Sequence, residues 1–154
     1  MNVGIIVYSH TGNTLSVAHK LEKALKAAGH EAIIARIEPV NDDPQSRAPV
    51  RLKSAPDISL YDAVIFASPV RAFSLDPVMK LYLSQISSMT GKRSYCFVTQ
   101  HLKKAWMGGN QAVRQIKNAC KAKGSDILSS GIVNWSGITR DNQIDDIVGR
   151  LSAI

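Results

Sequence analysis

The sequence predicts an α/β fold, a doubly wound parallel sheet of five strands. Three observations predict it: short apolar runs without polar alternation, helical periodicity between them, and turn residues at the joints. Val3 to Tyr8 is the first such run, as expected of a parallel strand buried on both faces. After a turn-rich loop, Val17, Leu21, Ala24, Leu25 and Ala28 recur at helical spacing from Thr14 to Ala28, and Gly29 supplies a left-handed stop. Glu31 to Glu38, with Ile33, Ile34 and Ile37, reads as the second strand. The stretch from Pro39 to Asp57 holds four of the six prolines and little apolar periodicity, so it reads as an extended surface connection. A connection this long marks a loop bearing function or conceals a short, irregular helix.

Asp62 to Ser68 is the third strand. Asp76-Pro77 opens a helix with an N-cap and a first-position proline, and Met79, Leu83 and Ile86 share its face. Ser94 to Gln100 is the fourth strand, Asn110 to Lys123 a helix closed by Gly124, Ile127 to Val133 the fifth strand, and Asp141 to Leu151 the last helix. Alternation of this kind requires right-handed crossovers and helices on both faces of the sheet. The 154 residues suit one domain.

Composition narrows the class. Apolar residues at 45% and charged residues at 20% are those of a folded soluble chain rather than a disordered one. Met1 to Tyr8 has no basic n-region and too short an apolar run for a signal peptide or membrane span, so a cytoplasmic location is the expectation. Cys96 and Cys120 sit in apolar segments without C-x-x-C spacing and read as buried free thiols. The net charge of +7 is unevenly placed: from Lys92 to Lys123 there are eight Lys and Arg residues and no Asp or Glu. No nucleic-acid module accompanies them, so a basic face would meet an anionic small molecule or an acidic protein.

In a doubly wound sheet ligands sit beyond the carboxyl ends of the strands, where the strand order reverses. After the first strand the chain reads Ser9-His10-Thr11-Gly12-Asn13-Thr14, three hydroxyls, an amide and a permissive glycine at the start of a helix. Free backbone N–H groups and the positive end of the helix dipole favour a phosphate there, the hydroxyls add donors, and Gly12 allows close approach. The loop lacks the glycine-lysine pattern of a P-loop and the G-x-G-x-x-G of a dinucleotide fold. Neither cysteine has the arginine spacing of a thiol phosphatase, and the acidic cluster of a phospho-acceptor receiver is missing, Tyr8-Ser9 and Ala67-Ser68 standing in its place.

The segment Ser9-x-Thr11-Gly12-Asn13-Thr14 resembles the phosphate loop of the flavodoxin family. Two further stretches strengthen the resemblance: Ser68-Pro69-Val70-Arg71-Ala72-Phe73 after the third strand, and Thr99-Gln100-His101 through Trp106-Met107-Gly108-Gly109-Asn110 after the fourth. The resemblance covers essentially the whole chain and is closest to the short-chain branch. It implies a flavodoxin-like strand order of 2-1-3-4-5, FMN as cofactor, and two loops enclosing the isoalloxazine ring. The cofactor-binding residues it implies are Ser9, His10, Thr11, Gly12, Asn13, Thr14, Ser68, Pro69, Val70, Arg71, Ala72, Phe73, Thr99, Gln100, His101, Trp106, Gly108 and Gly109.

Departures from the family's acidic electron carriers are as informative. Lys103 and Lys104 stand in the loop after the fourth strand. Phe73 and Trp106 are the aromatic candidates for ring contact, Trp106 alternatively plugging the core beneath its loop. Arg71 is either a solvated cation or one near the flavin's pyrimidine edge. His10 occupies the variable loop position and points to solvent or assists the phosphate; His101 is a candidate for proton handling. Tyr95 and Trp135 read as packing residues, and no metal-ligand cluster is visible. The loop after the third strand has no glycine, so turning a peptide there toward the flavin N5 meets a side-chain penalty at Val70, Arg71 or Ala72. Two functions remain: an electron carrier between redox proteins, one of them acidic, or an FMN-dependent oxidoreductase taking hydride from NAD(P)H to a quinone or similar small acceptor. The carrier is placed first, and the sequence assigns neither catalytic residues nor an oligomeric state.

Overall fold

The computed structural model describes residues 1–43, 45–101 and 105–154. In chain order the elements are β1 (Asn2–Val7), α1 (Asn13–Ala27), β2 (Glu31–Arg36), β3 (Glu38–Pro39), β4 (Leu52–Ser54), β5 (Ala63–Arg71) and β6 (Ser74–Leu75). There follow α2 (Pro77–Gln85), β7 (Arg93–Gln100), a 3₁₀ turn (Ala105–Met107), α3 (Gly109–Ala122), β8 (Ile127–Asn134) and α4 (Arg140–Ser152). The long strands pair in parallel in the order β2-β1-β5-β7-β8. Counted among themselves, they run 2-1-3-4-5. Strand order reverses between β1 and β5, so their carboxyl ends frame the crevice where such sheets take ligands.

Alternate residues of each strand feed opposite layers. Val64 and Phe66 of β5, with Cys96 and Val98 of β7, pack against Met79 and Leu83 of α2 and Ile116 of α3. Ile65 and Ala67, with Tyr95 and Phe97, pack against Leu21 of α1 and Ile147 of α4. Cys96 and Cys120 are both free and buried, and burial pushes the Cys120 thiol up to about 12.

Two segments differ from the sequence expectation. Among its described residues, the 39–57 connection holds no helix; instead β3 and β4 form a small antiparallel ribbon. Prolines spaced along the segment deny it a helical hydrogen-bond ladder, and Ile37 and Ile58 at its two ends seal the sheet face against solvent. The third long strand also runs past Ser68 to Arg71 and folds back into β6. Its turn residues Ala72 and Phe73 have φ of 51° and 62°, the backbone of a two-residue hairpin turn that usually takes Asn-Gly. Gln115 Oε1 of α3 holds the returning strand, accepting from Ser74 Oγ at 2.9 Å and Leu75 N at 2.8 Å.

Among the described residues of the basic stretch, Lys92, Arg93, Lys121 and Lys123 stand at the end of the sheet away from the crevice. β7 starts at Arg93 at the amino end of the strands and reaches the crevice only at Gln100, roughly 23 Å later at 3.3 Å per residue. α3 runs back the other way, returning Lys121 and Lys123 to that end. There Lys92 Nζ donates to the carbonyls of Ser59 at 3.2 Å and Tyr61 at 2.7 Å. Lys103 and Lys104 lie outside the described residues.

Candidate functional site

The loop between β1 and α1 is organised from inside by Ser9. Gly12, with φ of 95°, is the residue preceding the helix, so four amides from Gly12 to Leu15 have no carbonyl one turn back. The buried Ser9 Oγ accepts two of them, Gly12 N and Leu15 N, each at 3.2 Å. Asn13 N and Thr14 N remain at the positive end of the α1 dipole, where an anion is favoured. A Cβ on Gly12 would meet nothing within 4 Å. Its glycine is therefore required by the positive φ, not by crowding.

In front of this loop lies a cleft of about 410 Å³, lined from the loop by His10, Thr11, Asn13 and Thr14. Pro69, Val70 and Arg71 enter it from the end of β5, and Thr99, Gln100 and His101 from the end of β7. Some of the expected residues from each of the three loops thus meet in one cavity. Thr14 reaches it while buried, its hydroxyl 2.7 Å from that of Thr99. Gln100 Nε2 donates to Asn134 Oδ1, and the His101 carbonyl accepts from Ser136 Oγ, tying the end of β7 to the last residue of β8 and the turn that follows it.

Other expected residues stand behind or beside the cavity. Ser68 is fully buried, its hydroxyl donating to the Pro69 carbonyl at 3.0 Å. Ala72 and Phe73 form the hairpin tip, with Phe73 64% exposed. Trp106 is 72% exposed, which removes the reading of it as a core plug. Gly108, at φ of 127°, packs so closely on the hairpin that an added Cβ would lie 2.8 Å from Phe73 Cα. Gly109, at the start of α3, is confined by Ile132.

The cavity also holds residues that the sequence reading left out. Tyr8, Asp42, Asp76 and the apolar Val40 and Val50 line it, the 40–51 segment making one wall. Asp42 accepts from the Tyr8 hydroxyl through Oδ1, and its Oδ2 lies 3.2 Å from His10 Nδ1. Asp76 is 3% exposed and accepts from Val78 N at 2.8 Å. Burial raises its carboxyl, against the lowering effects of the Val78 bond and the Arg71 and His10 charges, and Asp42 adds to the rise. Burial chiefly, then the bond to Asp42, also raises the Tyr8 phenol. The signals for these residues were local: Tyr8 ends the first strand, Asp76 is an N-cap, and Asp42 sits in a connection too long to be a mere link.

No family model matches the sequence, and no curated protein does. Solved structures do match the fold. Flavodoxin from Megasphaera elsdenii is 19% identical at a TM-score of 0.71, with 99% of each chain covered. Flavodoxin 2 of Bacillus cereus is 17% identical at 0.72, again over 99% of each chain. A Lactobacillus acidophilus flavoprotein in complex with FMN is 16% identical at 0.65, covering 94% of this chain and 97% of its own. The chain has the flavodoxin fold over nearly its whole length. Among the described residues, no helix is long and apolar enough to cross a membrane.

Proposed function

We propose that this chain is a single-domain FMN-binding electron carrier. The observation that carries the reading is the first turn of α1, which brings Asn13 and Thr14, whose amides have no carbonyl one turn back, to the 410 Å³ cleft at the point where strand order reverses. That volume lies in the usual range for small-molecule sites. Ser9 shapes the loop, the Asn13 and Thr14 amides and the Thr11 hydroxyl hold the phosphate, and Gly12 provides the bend. The ends of β5 and β7, from Pro69 to Phe73 and from Thr99 to His101, flank the ring, with the exposed Phe73 and Trp106 available to cover it.

Bound there, FMN supplies the group that accepts and releases electrons. The protein orients it and limits its contact with water. The fold shared with flavodoxins supports a carrier, and a net charge of +7 favours an acidic redox protein of the cytoplasm as partner through long-range attraction.

Stopped-flow mixing of the FMN-loaded protein with NADH and NADPH tests this reading. A carrier is indifferent to both, yet passes electrons to a protein acceptor once reduced chemically. Rapid reduction by either nucleotide would overturn the carrier reading in favour of an NAD(P)H oxidoreductase.

A further inference from the structure

We propose that Asp42 is a clasp that holds the 40–51 segment closed against the phosphate loop, so that closure of this wall and binding of the flavin are linked. The inference rests on the FMN reading for the identity of the ligand, but its structural half stands on the protein alone.

The segment leaves the fold at β3 and returns at β4. Glu38 pairs with Ser54 and Pro39 with Leu52, and Val40 N donates to the Arg51 carbonyl at 2.8 Å, which closes its base. Between those ends its described residues, 40–43 and 45–51, form a surface loop of the kind that carries function. Its turns are held locally: Asn41 Oδ1 accepts from Asp43 N and Asp43 Oδ1 from Gln45 N, both at 2.9 Å, and Ser46 Oγ accepts from Ala48 N at 3.2 Å. Val40, Ala48, Pro49 and Val50 give the cleft an apolar wall.

Asp42 joins this wall to the opposite side. One carboxylate oxygen accepts from Tyr8 OH at the end of β1, and the other lies 3.2 Å from His10 Nδ1 on the phosphate loop. Tyr8 is 4% exposed, so its hydroxyl needs a partner within the protein or at its edge.

The sign of the charge separates this role from a simple electrostatic one. A carboxylate beside an anion-binding loop repels a phosphate. If Asp42 acted only through its field, removing it would tighten FMN and leave riboflavin unchanged. As a clasp it acts through the apolar wall, which meets the flavin body common to both ligands. Removing it then weakens both alike. Linkage is reciprocal, so a bound flavin also protects the segment from opening.

Arg47 and Arg51, both exposed, make the segment readable with trypsin. In apoprotein, Asp42→Ala should speed cleavage after these residues by about tenfold, the equivalent of one net hydrogen bond. The same variant should weaken FMN and riboflavin by similar factors, and saturating FMN should slow cleavage of the unaltered protein. Asp42→Asn, which still accepts from Tyr8 through its amide oxygen, should fall between. Tyr8→Phe should speed cleavage alone and add little on top of Asp42→Ala, a non-additivity that a general loss of stability would not produce. Cleavage unchanged in Asp42→Ala, or FMN bound more tightly by it, would overturn the clasp. Flavin failing to bind any variant would instead overturn the FMN reading, while the tryptic rates of the apoproteins still decide whether Asp42 holds the wall.

Discussion

The hydroxyls of Thr14 and Thr99 lie 2.7 Å apart and buried, joining the first turn of α1 to the end of β7. The bond fixes the Ser9–Thr14 loop relative to the strand whose end flanks the rest of the cleft. Thr14→Val or Thr99→Val leaves one buried hydroxyl without its partner, at a cost of about 1 to 3 kcal/mol. The double replacement should cost much less than the sum, because no polar group is then stranded. Urea denaturation of the four apoproteins checks this, and additive losses would show that the pair is not coupled.

The hairpin tip stores conformational energy in Ala72 and Phe73, both in the left-handed region. Replacing them together by Asn-Gly, which suits this turn, should raise stability by about 1 kcal/mol. A urea midpoint that stays or falls would mean that side-chain contacts of Ala72 or Phe73 outweigh the backbone cost. The side-chain penalty expected for turning a peptide of this glycine-free loop toward the flavin N5 therefore acts on a turn that already holds Ala72 and Phe73 at positive φ.

Asp76 combines a helix cap with a buried charge. Its carboxyl is raised above the ordinary value of 3.8, so the ionised form is less favourable folded than unfolded. The stability associated with the neutral form is complete below the unfolded value and is lost as pH rises through the folded one. Asp76→Asn keeps the cap without the charge and should equal or exceed the unaltered protein at pH 7, an advantage that shrinks as pH falls toward the carboxylate range. Asp76→Ala should lose about 1 kcal/mol at both ends. A loss in Asp76→Asn at neutral pH, measured by urea unfolding, would show that the ionised carboxylate is itself stabilising.

For the proposed electron exchange, distance across the sheet separates the cations. Lys121 stands near the far end of α3 from Gly109, roughly 18 Å along the helix at 1.5 Å per residue and so beyond a Debye length of about 8 Å, whereas Arg71 lines the cleft. Lys121→Glu should leave the second-order rate with an acidic protein acceptor within about twofold at physiological salt, while Arg71→Glu should slow it several-fold. Equal effects of the two would place Lys121 on the encounter surface as well.

Most of the fold was legible because its elements are decided locally. Val3 to Tyr8, the Asp76-Pro77 helix start and the Gly29 and Gly124 stops carry strand, cap and turn chemistry in their own residue types, and their bounds agree with the structure within a residue or two. Parallel alternation gave the doubly wound class, while the strand order 2-1-3-4-5 came from the resemblance of the Ser9–Thr14 loop to the flavodoxin family. The ribbon at Glu38–Pro39 and Leu52–Ser54 was not legible, since so few residues show no period. The β5–β6 hairpin was hidden because Ala72 and Phe73 are the wrong residue types for its turn. In the site, the Ser9–Thr14 loop announces itself through composition. Asp42 does not: it becomes part of the cleft only when a long connection folds back on Tyr8 and His10.

The most direct test of the account compares FMN with riboflavin in the unaltered protein and in Thr11→Ala. The two ligands differ by the phosphate, which the account assigns to the Ser9–Thr14 loop. Titration should give a dissociation constant for FMN well below that for riboflavin. Thr11→Ala, by removing a hydrogen bond to a charged group worth roughly 1.5 to 3 kcal/mol, should weaken FMN by about one to two powers of ten and leave riboflavin nearly unchanged. Equal affinity for FMN and riboflavin in the unaltered protein would contradict the assignment of the loop to phosphate.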